Sequence, residues 1–234
     1  MATALPPRSA AQPWLKICGL RRPEQAAATA ALGVDAIGVI AVPGSARWLE
    51  PAARPELYAA MAEARPSCLG VLVVADPAEA DMARLAPGHG HQVLQLHGSE
   101  SPERCRQLRA ALGPDLGLWK ALRIRSADDL ARAEAYAETV DALLLDAWVA
   151  DQLGGTGHRI PIEWLQGFQP RLPWWLAGGI RADRVAPALA ALAASPPVGL
   201  DASSGVERAP GDKNLDQVAA LVAAVAAVRQ DQPS

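Results

Sequence analysis

The chain has 234 residues, 50% hydrophobic and 20% charged, which is enough for one sizeable buried core. A net charge of −3 with no block of Lys or Arg excludes nucleic acid and anionic membrane as partners and leaves small-molecule chemistry. No apolar run reaches the ~18 residues of a membrane span, and the start, MATALPPRSAAQP, lacks the apolar stretch of a secretory signal, so a cytoplasmic protein is expected.

In chain order, residues 1–13 read as a flexible, Pro-containing extension and residues 14–230 as one folded unit. WLKIC (Trp14–Cys18) predicts a strand, the turn residues Gly19 to Pro23 a loop, and the Ala-rich stretch Glu24–Leu32 a helix. DAIGVIAV (Asp35–Val42) predicts a second strand, with a helix from near Pro51. CLGVLVV (Cys68–Val74) follows with a helix after Pro77, then HQVLQLHG (His91–Gly98) with a helix opened by Ser101, Pro102 and Glu103, a good capping order. LGLWKAL (Leu116–Leu122), DALLLDA (Asp141–Ala147), WWLAGG (Trp174–Gly179) and VGLDASSG (Val198–Gly205) each predict a strand followed by a helix.

Eight near-continuous apolar strands alternating with helices call for a parallel sheet covered on both faces, and eight units fit an α/β fold of the (β/α)8 TIM-barrel type. An open doubly wound sheet would place its Gly-rich phosphate loop after the first strand, where this chain has CGLRRPE.

Ligands of such a barrel sit at the carboxyl ends of the strands. The polar residues found there are Cys18, Arg47, His97, Asp146, the loop Gly154, Gly155, Thr156 and Gly157, the pair Gly178 and Gly179, and the run Asp201, Ser203, Ser204 and Gly205. The glycines after strands seven and eight occupy the corner where barrels hold phosphate on backbone N–H groups, though glycines also simply turn chains. The long segment Val149–Arg159 is either a lid or a surface excursion, being longer than the usual ~2–6 residues.

Asp146 ends an apolar run, so its carboxyl group emerges at the rim partly desolvated, either as a proton donor or as a cap on a loop amide. Cys18 is either a thiolate base or a buried structural thiol, and by alternation it shares a strand face with Lys16. Cys68 and Cys105 read as small buried hydrophobes. Arg47 has the fork for a carboxylate or phosphate, or is a solvated arginine, and His97 is a proton carrier or a structural histidine. Trp174 and Trp175 read as core residues.

Taken together, KICGL, DAIGV, VLQLHGSE, LLLDA, GGTG, LAGGI and SSGVE, in that order from Lys16 to about Val228, resemble the phosphoribosylanthranilate isomerase family of tryptophan biosynthesis. The resemblance implies a cofactor-free, metal-free Amadori rearrangement of a phosphorylated small-molecule substrate by a monomer. It makes Asp146 the acid that opens the ribose ring, and Cys18 the base that takes the proton from the sugar's second carbon. Arg47 would bind the anthranilate carboxylate, and the backbone around Gly178, Gly179, Ser203, Ser204 and Gly205 the phosphate. His97 would join the substrate-binding residues, Gly154 to Gly157 would form the lid, and Asp201 would orient the reacting groups.

Departures from the family pattern are Val39, Ile40 and Ala41 in place of aromatics, Ala46 within Ser45–Arg47, Glu163 in PIEW, and Asn214 in GDKN. A metal-dependent sugar-phosphate epimerase would need several His and Asp ligands at strand ends, where His97 is the lone histidine. A noncatalytic phospholigand-binding barrel is the remaining alternative.

Overall fold

An apolar segment that can be buried on both faces becomes a barrel strand, one face turned to the interior and the other to a covering helix. In the computed structural model, which describes residues 13–147 and 159–230, these segments are β1 (Trp14–Cys18), β2 (Ala36–Ile40), β3 (Leu69–Val74), β4 (Val93–Leu96), β5 (Gly117–Ile124), β6 (Ala142–Ala147), β7 (Trp174–Ala177) and β8 (Gly199–Ala202). They pair in parallel and in chain order, and β1 closes on β8 with Lys16 opposite Asp201. The fold is therefore the expected TIM barrel. A two-stranded antiparallel hairpin, β9 (Glu207–Ala209) and β10 (Asp212–Lys213), follows β8.

The covering helices are α1 (Pro23–Ala31), α2 (Arg54–Ala64), α3 (Met82–Leu85), α4 (Pro102–Leu112), α5 (Ile162–Leu165), α6 (Ala182–Ala191) and α7 (Leu215–Gln230). Ser101 caps α4 as its sequence demands, its Oγ accepting from Arg104 N at 3.1 Å. Asn214 opens α7 in the same way, its Oδ1 accepting from the N–H groups of Asp216 and Gln217 at 3.1 and 3.3 Å. An amide oxygen serves this purpose as well as a carboxylate, so that departure from the family pattern is structurally neutral. The α-helix expected between β5 and β6 is instead a 3-10 segment, Ala127–Tyr136. Its buried residues, Leu130, Ala133 and Tyr136, recur every third position, which is the 3-10 period rather than the α period.

Strand alternation divides the apolar residues into two cores. Trp14, Cys18, Ala36, Val71, Val93, Trp119, Ala142, Leu144 and Trp175 fill the barrel interior, while Ile17, Ile37, Leu72, Leu94, Leu143 and Leu200 face the helices. Trp175 packs on Trp119 inside with ring centroids 4.8 Å apart, and Trp174 meets Phe168 edge-on outside at 5.5 Å, so both tryptophans are core residues. Of the expected extension 1–13, all but Pro13 lies outside the described residues.

Candidate active site

The alternation that turns Trp14 and Leu144 inward does the same for the residues that end their strands. Cys18 closes β1, His97 stands one residue past β4, Asp146 is next to last in β6, and Asp201 lies in β8. All four line one pocket at the carboxyl end of the barrel, together with Ile40, Val42, Ser45, Arg47, Val73 and Ser203. The sequence-predicted acid and base thus meet across a single cavity, and all four polar residues are buried. Ile40, Val42 and Val73 form its apolar wall.

His97 Nε2 stands 3.5 Å from Asp146 Oδ2, and its Nδ1 is 3.0 Å from the amide nitrogen of Gln95. With that amide donating to Nδ1, the ring proton sits on Nε2 and faces the carboxyl group. The rim carrying His97 is held from outside the barrel. Glu100 accepts from the N–H groups of Asp76 and Gly98 and takes the buried Lys120 ammonium at 2.7 Å.

Cys18 has a fully buried cation on its own strand face. Lys16 donates to Asp201 Oδ1 at 3.0 Å. Burial disfavours its ammonium, but Asp201 and Cys18 together hold it above the ordinary lysine value. Burial likewise pushes the Cys18 thiol up, opposed by Lys16 and more weakly by Lys213. Asp201 is raised by burial against the pull of Lys16. At Cys68 and Cys105 burial outweighs the nearby cations Arg65 and Lys120 and drives the thiols to about 12 and about 11, so they stay protonated, as expected of small core residues.

Room for the Cys18 thiol comes from β2. An ideal Cβ on Gly38, the residue paired with Cys18, would lie 2.7 Å from Sγ. Glycine is the one residue that lets the thiol occupy this place.

Arg47 lies at the pocket mouth, where Glu207 grips it through Nε at 2.9 and 3.1 Å and through Nη2 at 2.6 Å. The same carboxylate accepts from Lys213 at 2.6 Å, and Lys213 also donates to the Cys18 carbonyl. Ser203 Oγ donates to that carbonyl as well, at 3.0 Å. Burial opposes a charge on Glu207, yet Arg47 and Lys213 hold its carboxyl below the usual range. The hairpin β9–β10 therefore ties the mouth arginine, the end of β1 and the turn after β8 into one buried network.

The two glycine turns stand side by side. Gly178 and Gly179 take left-handed φ angles of 90° and 63°, and Gly205 sits so close to Ile180 that a Cβ there would be 2.2 Å from its carbonyl oxygen. The short helical turn Ser204–Val206 begins beside them. The predicted residues Gly154, Gly155, Thr156 and Gly157 lie outside the described residues.

Lys16, Glu207 and Lys213 have no assigned role in the sequence reading. Their signal was nonetheless present: a lysine in an apolar strand at even spacing from Cys18, and charges within SSGVE and GDKN. Among the described residues, no group of three His, Cys, Asp or Glu side chains could hold a metal ion, and no helix is long and apolar enough to cross a membrane.

The model of the family N-(5'-phosphoribosyl)anthranilate isomerase matches residues 15–224. A protein of that name from Synechococcus elongatus is 47% identical over 212 residues, which cover 91% of this chain and 95% of that relative. The crystal structure of phosphoribosyl anthranilate isomerase from Thermus thermophilus superimposes with a TM-score of 0.76 at 34% identity, covering 92% of this chain and 99% of that one. A further phosphoribosyl anthranilate isomerase, solved in complex with reduced 1-(o-carboxyphenylamino)-1-deoxyribulose 5-phosphate, superimposes with a TM-score of 0.76 at 25% identity, with coverage of 92% and 99%. Barrel and relatives agree, and the chain belongs to the N-(5'-phosphoribosyl)anthranilate isomerase family, the isomerases of tryptophan biosynthesis.

Proposed function

We infer that the chain converts N-(5'-phosphoribosyl)anthranilate to 1-(2-carboxyphenylamino)-1-deoxyribulose 5-phosphate with Asp146 as general acid and Cys18 as general base. The observation that carries these roles is that the two side chains line one buried pocket from β6 and β1 in a chain of this family. Asp146 gives its proton to the ribose ring oxygen as the bond from that oxygen to C1 breaks, leaving a protonated Schiff base. The Cys18 thiolate then takes a proton from C2. The C–H electrons form the C1–C2 double bond of an enolamine, which tautomerises to the aminoketose.

A buried thiol is costly to ionise, and two cations offset that cost. Lys16 is permanently beside it. The Schiff base adds a second positive charge at the step that needs the thiolate, which favours its ionised form. Asp201 holds Lys16 in place, and His97 faces one oxygen of Asp146, leaving the other for the sugar.

Arg47, presented by Glu207, binds the anthranilate carboxylate, and the backbone around Gly178, Gly179, Ser203, Ser204 and Gly205 binds the phosphate. The ligand in the related complex carries a carboxyl group at one end and a phosphate at the other. Ile40 and Val42 offer the aromatic ring an apolar wall. The catalytic unit is residues 14–230 acting as a monomer in the cytoplasm; closure of β1 on β8 supports one unit.

The test is to follow the loss of substrate fluorescence with purified protein, with and without EDTA. Turnover unaffected by chelation is expected. Absence of turnover would refute the reaction, and loss under EDTA would favour a metal-dependent sugar-phosphate enzyme.

A further inference from the structure

Arg184 is in the first turn of α6 and is half-buried. A cation there opposes the positive end of the helix dipole. No carboxylate among the described residues forms an ion pair with it, whereas its neighbour Asp183 lies 3.7 Å from Arg181. Instead, Arg184 Nη1 reaches back over the helix start and donates to the Gly179 carbonyl at 2.9 Å. Arg184 lines one cleft together with Gly178 and Gly179.

We propose that Arg184 is a positioning residue for the phosphate, locking the Gly179–Ile180 peptide so that its N–H faces the bound anion while the guanidinium adds a positive charge behind the turn. This rests on the reading of Gly178, Gly179 and Ser203–Gly205 as the phosphate seat. In a trans peptide the C=O and N–H point in opposite directions, so fixing the Gly179 oxygen on Arg184 aims the Ile180 N–H away from it. The next carbonyl, that of Ile180, packs so close to Gly205 that a Cβ there would lie 2.2 Å from its oxygen. Both sides of the turn are then fixed before ligand arrives, which is the condition for backbone amides to bind an anion without an ordering cost. A charge close behind the seat also strengthens the attraction for a dianion.

The role separates binding from chemistry. Arg184→Ala is expected to raise both KM and the Kd for inorganic phosphate, measured calorimetrically, by about tenfold, the order that one charge-assisted hydrogen bond supplies. Its kcat should stay within about twofold, because the reacting atoms are held by other residues. Arg184→Lys should recover most of the loss. Unchanged phosphate affinity in Arg184→Ala, or a fall in kcat at constant KM, would overturn the proposal. Ser204→Asp places a carboxylate in the seat and should abolish phosphate binding. If Ser204→Asp binds phosphate as the parent does, the seat itself is misread; if it fails to bind while Arg184→Ala binds normally, the role of Arg184 alone is wrong.

Discussion

A methyl group on Gly38 would point straight at Cys18, the proposed base. Its carbon would lie 2.7 Å from Cys18 Sγ and 3.2 Å from both Cys18 Cα and Cβ, against about 3.5–4.0 Å for an ordinary contact. With the strand backbones fixed by their ladder, the sulfur must retreat by about 1 Å, and a displacement of that size at a reacting atom costs about 10²-fold. Gly38→Ala should therefore lower kcat/KM about 100-fold, or about 2.7 kcal/mol of transition-state stabilisation. The overpacked interior should also lose about 1–3 kcal/mol of stability, so activity must be measured well below the unfolding transition. The assay is the decay of substrate fluorescence, alongside the affinity for the reduced product analogue, which should hardly change. In a Cys18→Ala background the same substitution should cost little further activity, because there is no sulfur left to displace. A Gly38→Ala enzyme with near-parental kcat/KM, or one that loses as much with Cys18 absent, would refute this account of the thiol's position.

Cys18→Ala and Asp146→Asn should each lower kcat by about 10²–10⁴-fold while binding the reduced product analogue nearly as well as the parent; parental turnover in either would remove that residue from the mechanism. Replacing the pair together, Lys16→Met with Asp201→Asn, removes the cation that opposes the burial-driven rise of the Cys18 thiol. Because the thiolate is the active form, the rising limb of kcat/KM should move to higher pH, and an unmoved limb would show that Lys16 does not tune the thiol. Glu207→Gln strands a buried ammonium and should cost about 3–5 kcal/mol in urea unfolding at neutral pH. Since the folded-state value of Glu207 is depressed, its contribution is complete above the ordinary Glu value of about 4.3 and fades as pH falls through the folded value. The gap between parent and variant should narrow in acid, and a gap that widens there would reverse the sign of this assignment.

The barrel was legible because fully buried strands leave long apolar runs, and eight of them at regular spacing admit few alternatives. Asp146 and Cys18 were legible as polar residues ending such runs, but the roles proposed for them came from the family resemblance, since position alone favoured a buried structural part for Cys18. Period-three burial hid the 3-10 segment before β6: Leu130, Ala133 and Tyr136 satisfy a helical pattern too loosely to separate the two helix types. The network of Glu207 and Lys213 was illegible for a different reason. Sequence patterns report local burial, whereas Lys213 and Cys18 are 195 positions apart and meet only once the barrel has closed. Nothing in the sequence around Gly38 marks its purpose, which depends on the atom opposite.

The lysine of β10 gives the order of assembly a biochemical meaning. Strand one leaves the ribosome first, yet the carbonyl beside its cysteine is not secured until a residue near the far end of the barrel has been made, and β8 must already lie against β1 for that ammonium to reach it. On the proposed roles, a nascent chain holding Cys18 and even Asp146 is expected to be inactive until the ring closes, and splitting the chain anywhere between β2 and β8 should leave two fragments that acquire activity only on reassociation.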